Sequence, residues 1–323
     1  MAKKRRGGGE DEHDALSRVF ALLDEAPPGL HDVEPPAAKL PSGLPPQLIE
    51  LYAHCDGLRL FVDAVEIVSS DAVSTPAPGH WKFGEIEGAA IVIDERGKIW
   101  RDDESLDDAV CDGTRLDRWL AGIFDATANF YDADGEFAED AYDEEGEINP
   151  KVLQRALKAQ LKRDPTAPGP RWRLALTYLG EEALDNARDE LEQTVAADPT
   201  FAWAWLDLAR ISERMGDLGN AVDEARMAAD TAEGAQHPQA GYLFAQLARL
   251  ASRHGDDVTR AQAATKASLL DPQLKTAQLD GARESLASGD RASALGLLEI
   301  LRAVWPRDLE VLELSGKVDD STN

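Results

Sequence analysis

The chain has 323 residues, 43% of them hydrophobic, enough for two domains of ordinary size, each with its own core. Its formal net charge of −27 is uneven, at +3 over residues 1–10, −24 over 11–150 and −6 over 151–323; a surface this acidic repels phosphate backbones and excludes nucleic acid as an expected partner. There is no signal-peptide pattern, no run of eighteen apolar residues and no CxxC spacing around the two cysteines, Cys55 and Cys111. A cytoplasmic protein is therefore expected, without membrane, disulfide or metal-ribbon chemistry.

In chain order, residues 1–13, with Lys3-Lys4-Arg5-Arg6 before three glycines, read as a disordered basic tail. A mixed region follows. "DALSRVFALLDEA" is amphipathic and predicts a helix, and "PPQLIELYAHC" predicts another with proline in its first turn. "LRLFVDAVEIV" is rich in branched residues and predicts strand, and "AAIVIDERGKIWRD" predicts two strands joined at Glu95-Arg96-Gly97. "TRLDRWLAGIFDATANFY" predicts a closing helix, with Thr114 and Asp117 as a capping box and Leu116, Trp119, Leu120 and Phe124 at helical spacing. The expected fold is α+β, helices around an antiparallel sheet.

The order "LPSGLPPQLIELYAHCDGLRLF", "WKFGEIEGAAIVIDERGKIWR", "RLDRWLAGIF" resembles the SUKH superfamily, also called Smi/Knr type, over residues 14–131. Asp56-Gly57 stands where that family often has Asn-Gly, and either dipeptide serves a tight turn. The resemblance implies a non-enzymatic binding module, many members being immunity proteins that neutralise a toxin domain.

No catalytic or cofactor motif emerges. His54-Cys55-Asp56 places adjacent residues that seldom reach one reacting atom, and the six histidines show no metal-ligand spacing. "FYDADGEFAEDAYDEEGE" hints at a calcium loop through Asp132, Asp134 and Gly135. With Gly135 at the turn, however, Phe130 and Ala141 fall where oxygen ligands are obligatory. Residues 132–148, with nine acids and no base from Asp132 to Glu147, read as an acidic linker.

From residue 149 to 319 the texture is helical and repeats. Leu-Ala or Gly-Ala pairs recur at 174, 208, 247 and 281, spaced by 34, 39 and 34, the long step falling on "AEGAQHPQ". Each unit carries a second helical stretch, with Ala187, Ala221 and Ala294 at its centre and Arg260 as the exception. Pro199, Pro272 and Pro306 close the units. "RMGDLGNAVDEA" and "ASGDRASALGLL" are similar to the tetratricopeptide repeat, which implies an all-α superhelix. "PKVLQRALKAQLKRDP" reads as a cap before it and "DLEVLELSGKV" as one after it.

Such arrays hold peptides on the face made by the first helix of each unit. The resemblance places Trp172, Arg173, Trp203, Asp207, Arg210, Arg214, Tyr242, Gln246, Arg249, Arg253, Asp280 and Arg283 there. Arg210, Arg249 and Arg283 occupy equivalent places in three repeats, so an acidic peptide or a C-terminal carboxylate is the expected ligand, bound through forked guanidinium groups. Local acids such as Asp207 and Glu213 are the competing partners. A further expectation is that residues 130–147 dock into this groove through Phe130, Tyr131, Phe137 and Tyr142. Two readings follow. One is a recognition scaffold whose sheet domain binds a protein, as in toxin immunity, while the groove binds an acidic peptide. The other is a regulatory adaptor or co-chaperone acting mainly through the groove. Neither is an enzyme or needs a cofactor.

Overall fold

The computed structural model describes residues 14–24, 26, 29–106, 108–132, 134–142 and 146–320. The expected basic tail, 1–13, and acids 143–145 lie outside them. The chain divides into two compact units, Met1–Ala183 and Leu184–Asn323, and the division falls inside the first of the four repeats read from the sequence.

The first unit begins with α1 (Asp14–Asp24), β1 (His31–Val33) and α2 (Pro46–Tyr52), followed by β2 (Leu58–Leu60), β3 (Val65–Ile67), β4 (Ser74–Ala77) and β5 (His80–Ile86). Then come β6 (Ala89–Asp94), β7 (Ile99–Asp103), β8 (Asp108–Gly113) and α3 (Leu116–Thr127), which runs into a 3-10 turn at Ala128–Phe130. The strands form one antiparallel sheet in the order β1-β2-β3-β5-β6-β7-β8, with β4 also pairing β5. Alternation supplies its core. Leu58, Leu60, Val65, Ile67, Phe83, Ile91, Ile93 and Ile99 are buried with Leu48, Leu51 and Tyr52 of α2 and Leu116, Trp119, Leu120 and Ile123 of α3. The β6–β7 turn forms as its residues predict: Gly97 takes φ 81°, and the Asp94 carboxylate accepts N–H bonds from Arg96 and Lys98 and from the Trp100 indole.

One strand expectation forms with an unforeseen turn, and one capping expectation fails. "LRLFVDAVEIV" is a hairpin, with Leu60 opposite Val65, whose turn places Phe61, Val62 and Asp63 in the left-handed region at φ 53°, 52° and 72°. Side chains with a Cβ resist that region, so the surroundings must hold it. Phe61 N–H donates to His31 Nδ1 at 3.1 Å, Val62 N–H donates to the Leu30 carbonyl, and Tyr131 Oη–H donates to the Phe61 carbonyl. The expectation that fails is the capping box at Thr114. Arg115 is the N-cap of α3 and no side chain caps it, because the Thr114 hydroxyl and N–H are both taken by Asp164.

Burial lowers the pKa of His31, which keeps Nδ1 available as an acceptor. In the unfolded chain the imidazole gains its proton near pH 6.5, so folding stability is expected to fall as pH drops below that value. His31→Asn, whose amide oxygen can replace Nδ1, is expected to flatten that dependence. Thermal melts of both proteins between pH 7.5 and 5.5 check it.

The described parts of the expected linker (132–148) and groove segment (130–147), residues 130–132, 134–142 and 146–148, pack within the first unit. Tyr131 bridges Phe137, and Tyr142 bridges Ile148. Aromatic rings run in series, Phe61 on Tyr131 at 5.1 Å, Tyr131 on Phe137 at 5.1 Å, and Phe137 against Tyr142 at 5.3 Å. Ala141 is fully buried, and Asp140 pairs with Arg155. Apolar stacking close to the chain outweighs the acidic composition, so the aromatic side chains expected to seek the groove are already engaged. Asp132 does not arrange a calcium loop; its carboxylate accepts the N–H groups of Asp134 and Glu136 around the Gly135 turn.

The unit closes with α4 (Pro150–Arg163) and α5 (Pro168–Gly180). Asn149 caps α4 by accepting the Lys151 N–H. The helix expected as a cap before the repeats packs on α5 and also on α3, and α5 lies on β8. A Cβ added at Gly169 would stand 2.8 Å from the Cys111 carbonyl, which shows how closely α5 approaches that strand.

The second unit is all-α: α6 (Leu184–Ala197), α7 (Ala202–Arg214), α8 (Leu218–Gly234), α9 (Ala240–His254), α10 (Asp257–Leu270), α11 (Leu274–Ser288), α12 (Arg291–Val304) and α13 (Leu309–Asp320). Helices α7–α8, α9–α10 and α11–α12 are tandem helical hairpins of the tetratricopeptide kind. Their Gly-Asp turns explain the repeat. Gly216, Gly255 and Gly289 take φ 82°, 83° and 85°, a conformation open to glycine, and Asp217, Asp256 and Asp290 cap the next helix by accepting the N–H of Asn220, Thr259 and Ser293. Ala209, Ala248 and Ala282 of the first helices and Ala187, Ala221 and Ala294 of the second are fully buried, since only a methyl group fits where the helices approach closely. Arg260, the exception, donates to the Ala303 carbonyl. Trp205 packs against this core and donates its indole N–H to the Pro199 carbonyl.

Candidate functional site

The twelve residues expected to line one groove fall into two groups. Trp172 and Arg173 belong to α5 of the first unit and do not present a recognition surface. Trp172 is buried. The Arg173 guanidinium is bonded to Asp112 of β8, a carboxylate with no solvent exposure that also accepts the Trp119 indole N–H at 2.8 Å. Burial pushes the Asp112 pKa up, but the charges of Arg173 and Arg101 and the hydrogen bonds from Arg173 and Trp119 outweigh it and hold the group below the usual value. Gln160, also buried, completes the cluster at 3.4 Å. Arg173 is spent on holding α5 to the sheet.

The second group lies on α7, α9 and α11. On α7, Trp203, Arg210 and Arg214 are separated by seven and eleven residues, within about 20° of whole turns, so they form one stripe. Tyr242, Gln246, Arg249 and Arg253 form the matching stripe on α9. Trp203 and Tyr242 meet with ring centroids 6.3 Å apart, and His237 stands edge-on to Trp203 at 6.2 Å. The stripe on α9 is wired internally. Gln246, which is buried, donates to Tyr242 Oη at 2.7 Å and accepts from Arg249 Nε at 3.0 Å.

At the other end, Arg210, Glu213, Arg214, Arg249 and Arg253 line an open hollow of about 430 Å³. Its arginines are not equivalent. Arg249 is bidentate to Glu213 at 2.6 and 2.8 Å and is 13% exposed, as is Glu213; Arg253 bonds the same carboxylate. Burial pushes Glu213 up, yet the bonds and charges of Arg249 and Arg253 prevail and keep its pKa low. Arg210 bonds the buried Asp207 at 2.8 Å while 45% of its side chain is exposed, and 48% of Arg253 is exposed. Arg214 is exposed and belongs to the same hollow.

The regular arginine ladder expected from the sequence is therefore an alternating acid–base network. Its third rung follows the rule, as Arg283 bonds Asp280 at 2.9 Å and also Glu310. Four guanidinium groups line the hollow around Glu213, with Asp207 bonded to Arg210 and Glu299 3.5 Å from Arg249, and Arg210, Arg214 and Arg253 keep donor edges open to solvent. The sequence reading named Asp207 and Glu213 as competing partners of these arginines, and both are engaged, Asp207 by Arg210 and Glu213 by Arg249 and Arg253 together.

His54, Cys55 and Asp56 diverge: His54 stacks on Phe20, burial raises the Cys55 thiol to about 11, and Asp56 accepts the Ser70 N–H. Among the described residues, no cluster of three or more His, Cys, Asp or Glu side chains could hold a metal ion, and no helix is long and apolar enough to cross a membrane.

No protein-family model matches the sequence, and no curated protein matches it. Among solved structures the chain is similar to MamA, at 20% identity over 53% of this chain and 91% of that one, with a TM-score of 0.35. It is similar also to YrrB, described as a TPR protein with an unusual peptide-binding site, at 18% identity over 51% and 84% with a TM-score of 0.34. A third is pilF of Pseudomonas aeruginosa, at 18% identity over 52% and 90% with a TM-score of 0.25.

Proposed function

We propose that the chain is a non-enzymatic, cytoplasmic recognition scaffold whose helical unit binds an acidic peptide segment of a partner protein. The observation that carries this reading is the hollow built around Arg249, where Arg210, Arg214 and Arg253 keep open donor edges on a protein of net charge −27. Arginine donors match carboxylates in pairs, and flanking indole and phenol faces add contact area. The overall negative charge opposes approach from afar. At physiological salt it is screened beyond about 8 Å, while the contact pairs inside the hollow are not. The α+β unit has the helices and antiparallel sheet that its SUKH-like sequence implies. It is assigned to binding a second protein, with toxin immunity as the corresponding role.

Fluorescence anisotropy of a labelled hexaglutamate peptide tests the helical unit's part. Binding to the full chain is expected at physiological salt and is expected to disappear in the Arg210→Gln/Arg214→Gln/Arg253→Gln variant, whose changes are at exposed side chains. Equal binding by both proteins, or by neither, contradicts the reading.

A further inference from the structure

The two ends of the stripe differ in chemistry, and their separation is fixed by helix geometry. Trp203 and Tyr242 form an aromatic shelf over the core of the helical unit. Trp203 is also the one indole among the described residues with a shielded N–H that finds no acceptor. Seven residues on, Arg210 opens the cationic hollow, and eleven residues on, Arg214 ends it. At 1.5 Å per residue these positions lie about 10.5 and 16.5 Å along the axis from Trp203. On α9 the interval from Tyr242 to Arg249 and Arg253 is the same, so the shelf and the hollow face one another across both helices in register.

An extended peptide rises about 3.3 Å per residue. A chain laid along the stripe with an apolar side chain on the shelf therefore reaches Arg210 after about three residues and Arg214 after about five. We infer that the ligand is a two-part segment of a partner protein, with an apolar or aromatic anchor for Trp203 and Tyr242 and carboxylates three to five residues away for Arg210, Arg214 and Arg253. This deepens the proposed function and rests on it. Charge alone would accept any acidic run; the shelf adds a spacing that most acidic runs lack. Glu213 sharpens the choice. It already fills Arg249, which leaves Arg210 as the first guanidinium with an open edge, and a carboxylate placed closer to the shelf meets the negative Asp207, four residues after Trp203.

The test is a calorimetric titration of the full chain with acetylated, amidated peptides of one phenylalanine, a spacer of zero to eight serines, and two glutamates. Spacers of two to four serines are expected to bind at least about tenfold more tightly than none or eight, a difference of about 1.4 kcal/mol. Replacing the phenylalanine by serine is expected to erase the optimum with the protein unaltered. Trp203→Leu is expected to do the same from the protein side. Acidic peptides that bind without regard to spacer length or to phenylalanine overturn this inference and leave the proposed function standing. So does free glutarate competing at the peptide's own concentration. Failure of every acidic peptide to bind overturns both.

Discussion

Arg173→Ala is expected to destabilise the first unit by about 3–5 kcal/mol, the cost of leaving a buried charge without its partner. Asp112 has no exposed side-chain surface; its remaining neighbours, the Trp119 indole and the Gln160 amide, supply hydrogen bonds, and the only other stabilising charge acting on it is the more distant one of Arg101. The carboxylate would then have to be buried alone or take up a proton. Because Asp112 titrates below its ordinary value in the folded protein, its contribution is fully present above the unfolded pKa near 3.9 and is lost as pH falls through the folded one. The difference between the wild type and Arg173→Ala should therefore be large at pH 7 and shrink toward pH 3. Asp112→Asn in the Arg173→Ala background should recover part of the loss. Urea midpoints at the two pH values measure both. An effect below about 0.5 kcal/mol at pH 7 would show that α5 is not held to β8 through this pair.

Arg249→Ala is expected to cost about 2–3 kcal/mol, somewhat less than the Asp112 case, because Glu213 keeps Arg253 and a little solvent. Arg214→Ala, one residue from Glu213 but exposed, should fall within about 0.5 kcal/mol of the wild type. The contrast separates arginines that build the site from those that read a ligand. A double-mutant cycle between Arg249→Ala and Glu213→Gln should give a coupling of about 1–3 kcal/mol. Additive losses would mean that the two side chains do not act as a pair.

These two arginines also mark where sequence reading reached and where it stopped. The Gly-Asp turns were legible because cause and consequence lie within four residues: glycine adopts the left-handed turn and the following aspartate caps the next helix. The small residues at 209, 221, 248, 282 and 294 were legible because close helix packing recurs with the repeat. The role of Arg173 was not, because its partner Asp112 is 61 residues away and neither residue has a local signature. By repeat position Arg173 matches Asp207, 34 residues on, and only the approach of α5 to β8 separates their roles.

The segment from 131 to 149 shows the same limit in another form. Its charge density suggests solvation, yet rings at Phe61, Tyr131, Phe137 and Tyr142 stack in sequence and bury Ala141. Its aromatic residues were visible as anchors in the sequence, but their partner, a left-handed turn at Phe61–Asp63 without glycine, was not. Thr114 behaves alike: its place before a helix suggests a cap, and Asp164, 50 residues on, takes its hydroxyl.

The measurement that bears most directly on the account is a side-chain nitrogen–proton spectrum of the arginine Nε groups, recorded as an acidic peptide with a suitably spaced anchor is added to the full chain. Arg210, Arg214 and Arg253, whose edges are open, are expected to shift on binding. Arg249, held by Glu213 and Gln246, is expected to move least. Shifts confined to other arginines, or none at saturating peptide, would contradict the assignment of this hollow as the peptide site.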